Sequence, residues 1–351
     1  MLAPGSHLTG VSMLRWASRW IAAIGFVATG ACAQPAAPAE PSDAMTRALQ
    51  RASDAVVGVL VQAVDDARSA STLGLARQGS GVVISDDGLV LTIGYLILEA
   101  EQVQIVTDDA RIVPARVIAY DLASGFGLVR ALVPLKLDPA PMGQAMQVAT
   151  DDLLMVASGG AGGAISAARL LSRRGFSGYW EYHIDGALFT SPPRRDHSGA
   201  GLFNQRGELV GIGSLFVTDA LGRDAPRTAG NMFVPIDLLA PILPELMARG
   251  SSQQSHRAWL GVNCIDQGNV VKVVRISEDS PADVAGLEAG DTIVRIDGVP
   301  VQTLEALWKT LWKTPPAERA VVIDILRDGQ PQTVTVQAVD RAKTLRRPRG
   351  V

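Results

Sequence analysis

From residue 56 onward the apolar positions fall in short, closely spaced runs: Val56-Val57-Gly58-Val59-Leu60-Val61, then Gly79-Ser80-Gly81-Val82-Val83-Ile84, then Leu89-Val90-Leu91-Thr92, with others at 103–107, 112–119 and 127–133. Such runs, bounded by turn residues, predict β-strands. Ser85-Asp86-Asp87-Gly88 places an Asp-Gly turn between two of them, and residues 201–212 repeat the strand-turn-strand pattern, so both predict hairpins. Helical spacing is confined to a few places. Residues 44–57 predict a short helix before the first strand, and Pro235–Arg249 predicts one through Leu238, Leu239, Ile242, Leu243 and Leu246 despite its prolines. A third covers 303–313, where Leu304, Leu307, Trp308 and Leu311 recur at helical intervals. Many short strands without long helices between them indicate a barrel or a sandwich.

Composition sharpens this picture in a few respects. A chain of 351 residues, 47% hydrophobic and 19% charged, can fill more than one core, so two domains are expected. A content of 35 glycines and 20 prolines against 5% aromatics suits a turn-rich β protein. The net charge of -3, with no long basic run, offers no footprint for a phosphate backbone and excludes nucleic acid as the expected partner. At the N-terminus Arg15 and Arg19 precede the apolar run from Trp20 to Val27, and Ala31-Cys32-Ala33 follows, which reads as a signal peptide over 1–33 cleaved after Ala33. Export to the periplasm is the expectation, with an uncleaved membrane anchor or a lipidated Cys32 as alternatives and Met13 as an alternative start. A Pro/Ala linker fills 34–44. Cleavage would leave Cys264 as the single cysteine, read as a small buried side chain on a strand.

The order Gly-Ser-Gly-Val-Val-Ile, an Asp-Gly turn, Leu91-Thr92, a strand ending at Asp121, then Ser198-Gly199-Ala200-Gly201-Leu202 and Gly207-Glu208-Leu209-Val210-Gly211-Ile212 resembles the HtrA/Deg family of trypsin-like serine proteases. The resemblance covers about residues 50–340. It implies a mainly β chain: a trypsin-like double β-barrel over 45–250, a polar linker at 251–257, a PDZ domain (β-sandwich-like with short helices) over 258–340, and a basic tail at 341–351. It also implies a His, an Asp and a Ser in the cleft between the barrels, in proteins that degrade or sense misfolded envelope proteins.

The catalytic motifs match incompletely. A serine hydroxyl is a poor nucleophile until an oriented imidazole takes its proton. The family's Leu-Thr-x-x-His reads Leu91-Thr92-Ile93-Gly94-Tyr95 here, which puts Tyr95 at the base position, and a phenol is protonated at neutral pH. The family's Asp-x-x-x-Asp-Leu-Ala reads Asp121-Leu122-Ala123-Ser124-Gly125-Phe126-Gly127, which puts Gly125 where the orienting carboxylate belongs. Gly-Asn-Ser-Gly-Gly-Pro reads Asp196-His197-Ser198-Gly199-Ala200-Gly201: the nucleophile position is kept by Ser198, while Asp196 brings an acidic group to the oxyanion turn. His197, or His183 in Tyr182-His183-Ile184-Asp185, is the alternative as a rebuilt base, against the commoner reading of a solvent-exposed loop histidine. Arg194, Arg195 and Asp196 read as solvated surface in preference to an anion-binding loop. The histidines show no metal-ligand spacing, so neither metal nor cofactor is expected.

Residues 280–301, Ser280-Pro281-Ala282 through Gly286-Leu287-Glu288-Ala289-Gly290-Asp291 to Asp297-Gly298-Val299-Pro300-Val301, resemble the PDZ signature. Upstream, Trp259-Leu260-Gly261-Val262 resembles the loop whose N–H groups receive a peptide's terminal carboxylate beside an open strand edge. The helix at 303–313 should form the opposite wall, with Leu304 and Leu307 near the terminal side chain. The sequence therefore predicts a pseudoprotease that takes peptide C-termini or unfolded segments of envelope proteins through its PDZ domain. The alternative is an active endopeptidase using Ser198 with a nonstandard base; assembly into a homo-oligomer is left open.

Overall fold

The computed structural model describes residues 43–160 and 162–346, so the signal segment and the end of the basic tail lie outside the described residues. Helix α1 (Asp43–Asp54) leads into a closed six-stranded barrel built from β1 (Val56–Ala63), β2 (Ala76–Val83), β3 (Leu89–Ile93), β4 (Ala100–Val106), β5 (Ile112–Tyr120) and β6 (Phe126–Ala131). Two single-turn helices, α2 (Ala70–Leu73) and α3 (Gly94–Ile97), interrupt it. The strand order is β1-β2-β3-β6-β5-β4, and β4 closes the barrel by pairing antiparallel with β1. A second closed barrel, in the order β10-β11-β12-β9-β8-β7, follows from β7 (Leu153–Ala157), β8 (Ile165–Ser177), β9 (His183–Ser191), β10 (Gly201–Phe203), β11 (Leu209–Val217) and β12 (Gly230–Pro235). All five residues of β3 are buried because its outward face packs on β11 of the second barrel. The double barrel expected from the resemblance is therefore present.

The stretch Pro235–Arg249 is not one helix. It forms a 3-10 turn at Ile236–Leu238 and then α4 (Leu243–Arg249), with a proline at the start of the latter. Pro241 and Pro244 lack the N–H groups an unbroken helix would need, whereas a proline at a helix's first turn loses no intrahelical bond. Strands β7 to β9 escaped the sequence pattern. In β8, Arg169, Arg173 and Arg174 interrupt the apolar positions because most of the strand is only half-buried.

The third unit is a curled antiparallel sheet in the order β13-β19-β18-β16-β15-β14, with β17 paired to β16. Its strands are β13 (Ala258–Trp259), β14 (Val262–Gln267), β15 (Val270–Ile276), β16 (Thr292–Ile296), β17 (Val299–Pro300), β18 (Arg319–Arg327) and β19 (Gln330–Asp340). Helices α5 (Pro281–Val284) and α6 (Leu304–Lys313) pack against it around a separate core containing Cys264, Trp308 and Leu311. Ser280 and Thr303 cap these helices, each side chain accepting the N–H three residues on.

The polar segment 251–257 is held at both ends. Ser252 and Ser255 each donate a hydroxyl hydrogen bond to Asp121 of the first barrel, and Ser255 also accepts the Leu122 N–H at 2.8 Å. At the far end His256 Nδ1 pairs with Asp340 at 2.6 Å, and the Arg257 guanidinium lies 4.3 Å over the Trp312 ring.

Candidate functional site

Ser198 sits in the loop between β9 and β10, where both barrels fix its backbone. Its carbonyl accepts the Ser80 N–H from β2 at 2.8 Å, and the neighbouring Gly199 N–H donates to Gly213 of β11 at 2.8 Å. A cleft of about 710 Å³ opens beside it, lined among others by Ser80, Ser158, Gly159, Arg195 and Asp196.

Tyr95, at the start of α3, meets Ser198 directly: Oη lies 2.7 Å from Ser198 Oγ and 2.7 Å from the Ser214 carbonyl oxygen. A carbonyl can only accept, so the single phenolic proton lies on the Ser214 side, and the Ser198 hydroxyl donates to Tyr95 Oη. Burial pushes the phenol up to about 12. That is about five units above neutrality, so on the order of one molecule in 10⁵ carries a phenolate at pH 7. The serine proton is thus directed at a group that does not take it.

Gly125 is held in the left-handed region at φ 83°, and its carbonyl accepts the Gly94 N–H at 2.7 Å, next to Tyr95. A Cβ here would stand 3.1 Å from Tyr182 Oη, which itself donates to the Ser124 carbonyl at 2.9 Å. The Tyr182 hydroxyl therefore crowds any side chain at 125, on top of the strain that φ 83° imposes on a residue other than glycine. Asp121, the nearest carboxylate in that loop, is fully buried. Burial works to raise it, but hydrogen bonds from Ser124, Ser252 and Ser255 outweigh that and hold it below the ordinary carboxylate range. It is an anchor for the loop and the linker.

Neither histidine near the motif reaches Ser198 by a hydrogen bond among the described residues. His197 Nδ1 donates to the Arg194 carbonyl at 2.9 Å, and burial lowers its pKa, so it stays neutral at neutral pH. His183 lies between Ser177 Oγ at 2.8 Å and Asp185 at 3.1 Å. His183, Asp185 and Glu305 form a group with ligand-like spacing, but the Lys309 ammonium already sits on Asp185 at 2.9 Å and on Glu305 at 2.7 Å.

The oxyanion turn is rebuilt around charge. Arg194 is largely buried, bonded to Asp196, Ser158 and Ser166, while its backbone is clamped by Asn231. Arg195 and Asp196 are exposed, as expected of a solvated cluster, and Arg194 alone is drawn inward. Burial works to raise the Asp196 carboxyl, but Arg194, Ser158 and its own N–H outweigh that and keep it low. A carboxylate leaning on its own amide opposes any anion seeking that donor.

In the third unit Trp259 pairs with Val339 in the sheet, and Leu260 and Val262 are buried. Leu304 and Leu307 belong to the core. Gly261 is required: its φ is 88°, and a Cβ would come within 2.2 Å of Ser280 Cβ. The N–H groups of Leu260, Gly261 and Val262 do converge on a carboxylate, that of Glu181, at 3.1, 2.7 and 3.1 Å. Glu181 comes from the β8–β9 connection, and nothing in its local pattern marked it, since the contact spans about 80 residues of chain.

A family model for a trypsin-like peptidase domain matches residues 79–212, and one for a PDZ domain matches 258–338. Among curated proteins, the chain is 26% identical over 275 residues to a probable periplasmic serine endoprotease DegP-like of Hahella chejuensis, covering 74% of this chain and 56% of that one. It is 26% identical over 299 residues to the serine endoprotease DegS of Haemophilus influenzae, covering 81% and 84%. The chain spans about half the length of most of these DegP-like relatives. Among solved structures, the HtrA-type protease AlgW with a decapeptide aligns at a TM-score of 0.53 and 19% identity, over 87% of this chain and 99% of that one. A serine endoprotease from Yersinia pestis aligns at 0.52 and 22%, over 85% and 98%.

Proposed function

Because the chain belongs to the HtrA-type family, with a trypsin-like peptidase domain followed by a PDZ domain, we propose that it is a pseudoprotease of the bacterial envelope that engages peptide C-termini or unfolded segments. The observation that carries this reading is Tyr95 between Ser198 Oγ and the Ser214 carbonyl. It occupies the base position with a neutral phenol and ties up the nucleophile. Gly125 at the position of the orienting carboxylate, with the Tyr182 hydroxyl crowding any side chain there, and Asp196 at the oxyanion turn support the same conclusion. Loss of base and orienter removes a factor on the order of 10⁴ or more from a triad's rate. The periplasmic names of the DegP-like relatives support the location.

The second reading, an endopeptidase using Ser198 with a nonstandard base, draws on the retained serine at an open cleft and on relatives named as endoproteases. A fluorophosphonate probe separates the two. The pseudoprotease reading expects no covalent labelling of the full chain beyond that of Ser198→Ala. Labelling abolished by that substitution establishes the endopeptidase.

A further inference from the structure

The PDZ groove holds a ligand already, and it is part of the same chain. Strand β14 is the edge of its sheet, so alternate N–H groups along it face outward. The first of these, on Val262, donates to Glu181, and the next, on Cys264, donates to the Tyr179 carbonyl at 2.6 Å. The segment therefore runs antiparallel to β14, with residue 181 at the loop and residue 179 further along the edge. The opposite wall contributes as well: Trp308 of α6, fully buried, donates its Nε1–H to the Gly178 carbonyl at 3.1 Å. An edge strand, a carboxylate between consecutive N–H groups and a helical wall are the contacts of peptide addition to a sheet edge.

We propose that the segment Gly178–Glu181 is a built-in ligand of the PDZ groove, its Glu181 side chain standing in for a terminal carboxylate, so that an incoming peptide C-terminus binds by displacing it. The proposal rests on the reading that the domain takes peptide C-termini. The chain continues from Glu181 through Tyr182 into β9, so no free terminus is available there, and a side-chain carboxyl supplies the acceptor oxygens instead. Trp180 stacks on Tyr182, 5.9 Å between centroids, and packs against the barrel core, which fixes the segment from the side away from the groove. A tethered ligand acts at a high effective concentration, and the apparent affinity of a competitor falls by the fraction of molecules with an open groove.

The test uses the full chain and its Glu181→Ala, Glu181→Ser and Glu181→Gln variants, with a decapeptide ending in valine as free acid and as amide. Amide hydrogen exchange judges the built-in ligand by itself. Leu260, Gly261, Val262 and Cys264 should exchange slowly in the parent chain and at least about tenfold faster in Glu181→Ala. Calorimetry judges displacement: the free-acid peptide should bind the variant at least about tenfold more tightly than the parent, and the amide should not show this gain. Glu181→Gln keeps the shape and an acceptor oxygen without the charge, so its four amides should exchange no faster than the parent's, whereas Glu181→Ser, too short to reach the loop, should repeat the alanine result and serves if the alanine variant fails to fold. Equal exchange at the four amides in the parent and in both the alanine and serine variants overturns the proposal. Faster exchange with no peptide binding by any form leaves the built-in ligand standing and overturns peptide capture.

Discussion

Tyr95 and Ser198 share a 2.7 Å hydrogen bond in which the serine is the donor, because the phenolic proton is committed to the Ser214 carbonyl. Replacing Tyr95 by histidine should therefore not create a protease. Even Tyr95→His with Gly125→Asp should show no casein turnover above the Ser198→Ala control. An aspartate at 125 would need φ 83° and would meet Tyr182 Oη at 3.1 Å from its Cβ, and Asp196 would still oppose an oxyanion. A fluorescent casein assay checks this.

Tyr95→Phe should leave the Ser214 carbonyl without its phenolic partner and cost roughly 1–3 kcal/mol of stability, with no change in any peptide binding. Denaturant unfolding followed alongside calorimetry reads both effects.

Asp121→Ala should loosen the joint between the barrels and the PDZ domain, at a cost of roughly 2–4 kcal/mol for the charge-assisted bonds from Ser124, Ser252 and Ser255. Because the folded carboxyl is held below its ordinary value of 3.8, its contribution is present above that pH and lost as the pH falls through the lower folded value. The variant should accordingly show a shallower acid transition. Limited proteolysis at 251–257 and acid unfolding monitored by tryptophan fluorescence measure the two consequences.

Glu181 gives the groove a pH dependence of the opposite kind. Burial pushes its carboxyl up to about 7, against the pull of Arg341 and of the N–H groups of Val262, Gly261 and Leu260, whereas in solvent it returns to 4.5. The closed form therefore binds a proton more tightly than the open one. Closure is favoured fully below 4.5 and weakens as the pH rises through about 7. Cys264, the thiol that feels the same charge, is pushed up by burial and stays neutral throughout. Calorimetry of the full chain with the free-acid peptide should show binding that strengthens between about pH 5.5 and pH 8, and Glu181→Gln should flatten the profile.

Gly261→Ala should disrupt the loop, since its φ of 88° and the 2.2 Å approach of a Cβ to Ser280 both have to be relieved. A loss of at least roughly 1–3 kcal/mol is expected, together with fast exchange at the loop amides. Thermal unfolding and hydrogen exchange test this.

The legible parts of this molecule were those where local pattern and structure coincide. The Asp-Gly hairpin between β2 and β3 and the apolar face of α6 follow from runs a few residues long. Ser198, Tyr95 and Gly125 could be placed because their flanking motifs survive. The bond between Tyr95 and Ser198 could not, since it joins residues 103 apart. Glu181 was hidden for the same reason, and the half-buried β8 because its arginines break the apolar period while bonding backbone carbonyls such as Ala145 and Val148.

The Asp121 anchor pins the stretch from Ser252 to Ser255 to the first barrel, which shortens the tether on which the PDZ domain hangs. A domain on a slack tether sweeps a volume and presents its groove at many angles. Here only His256 and Arg257 separate the pinned Ser255 from β13, so the tether is two residues long and the groove starts close to the first barrel.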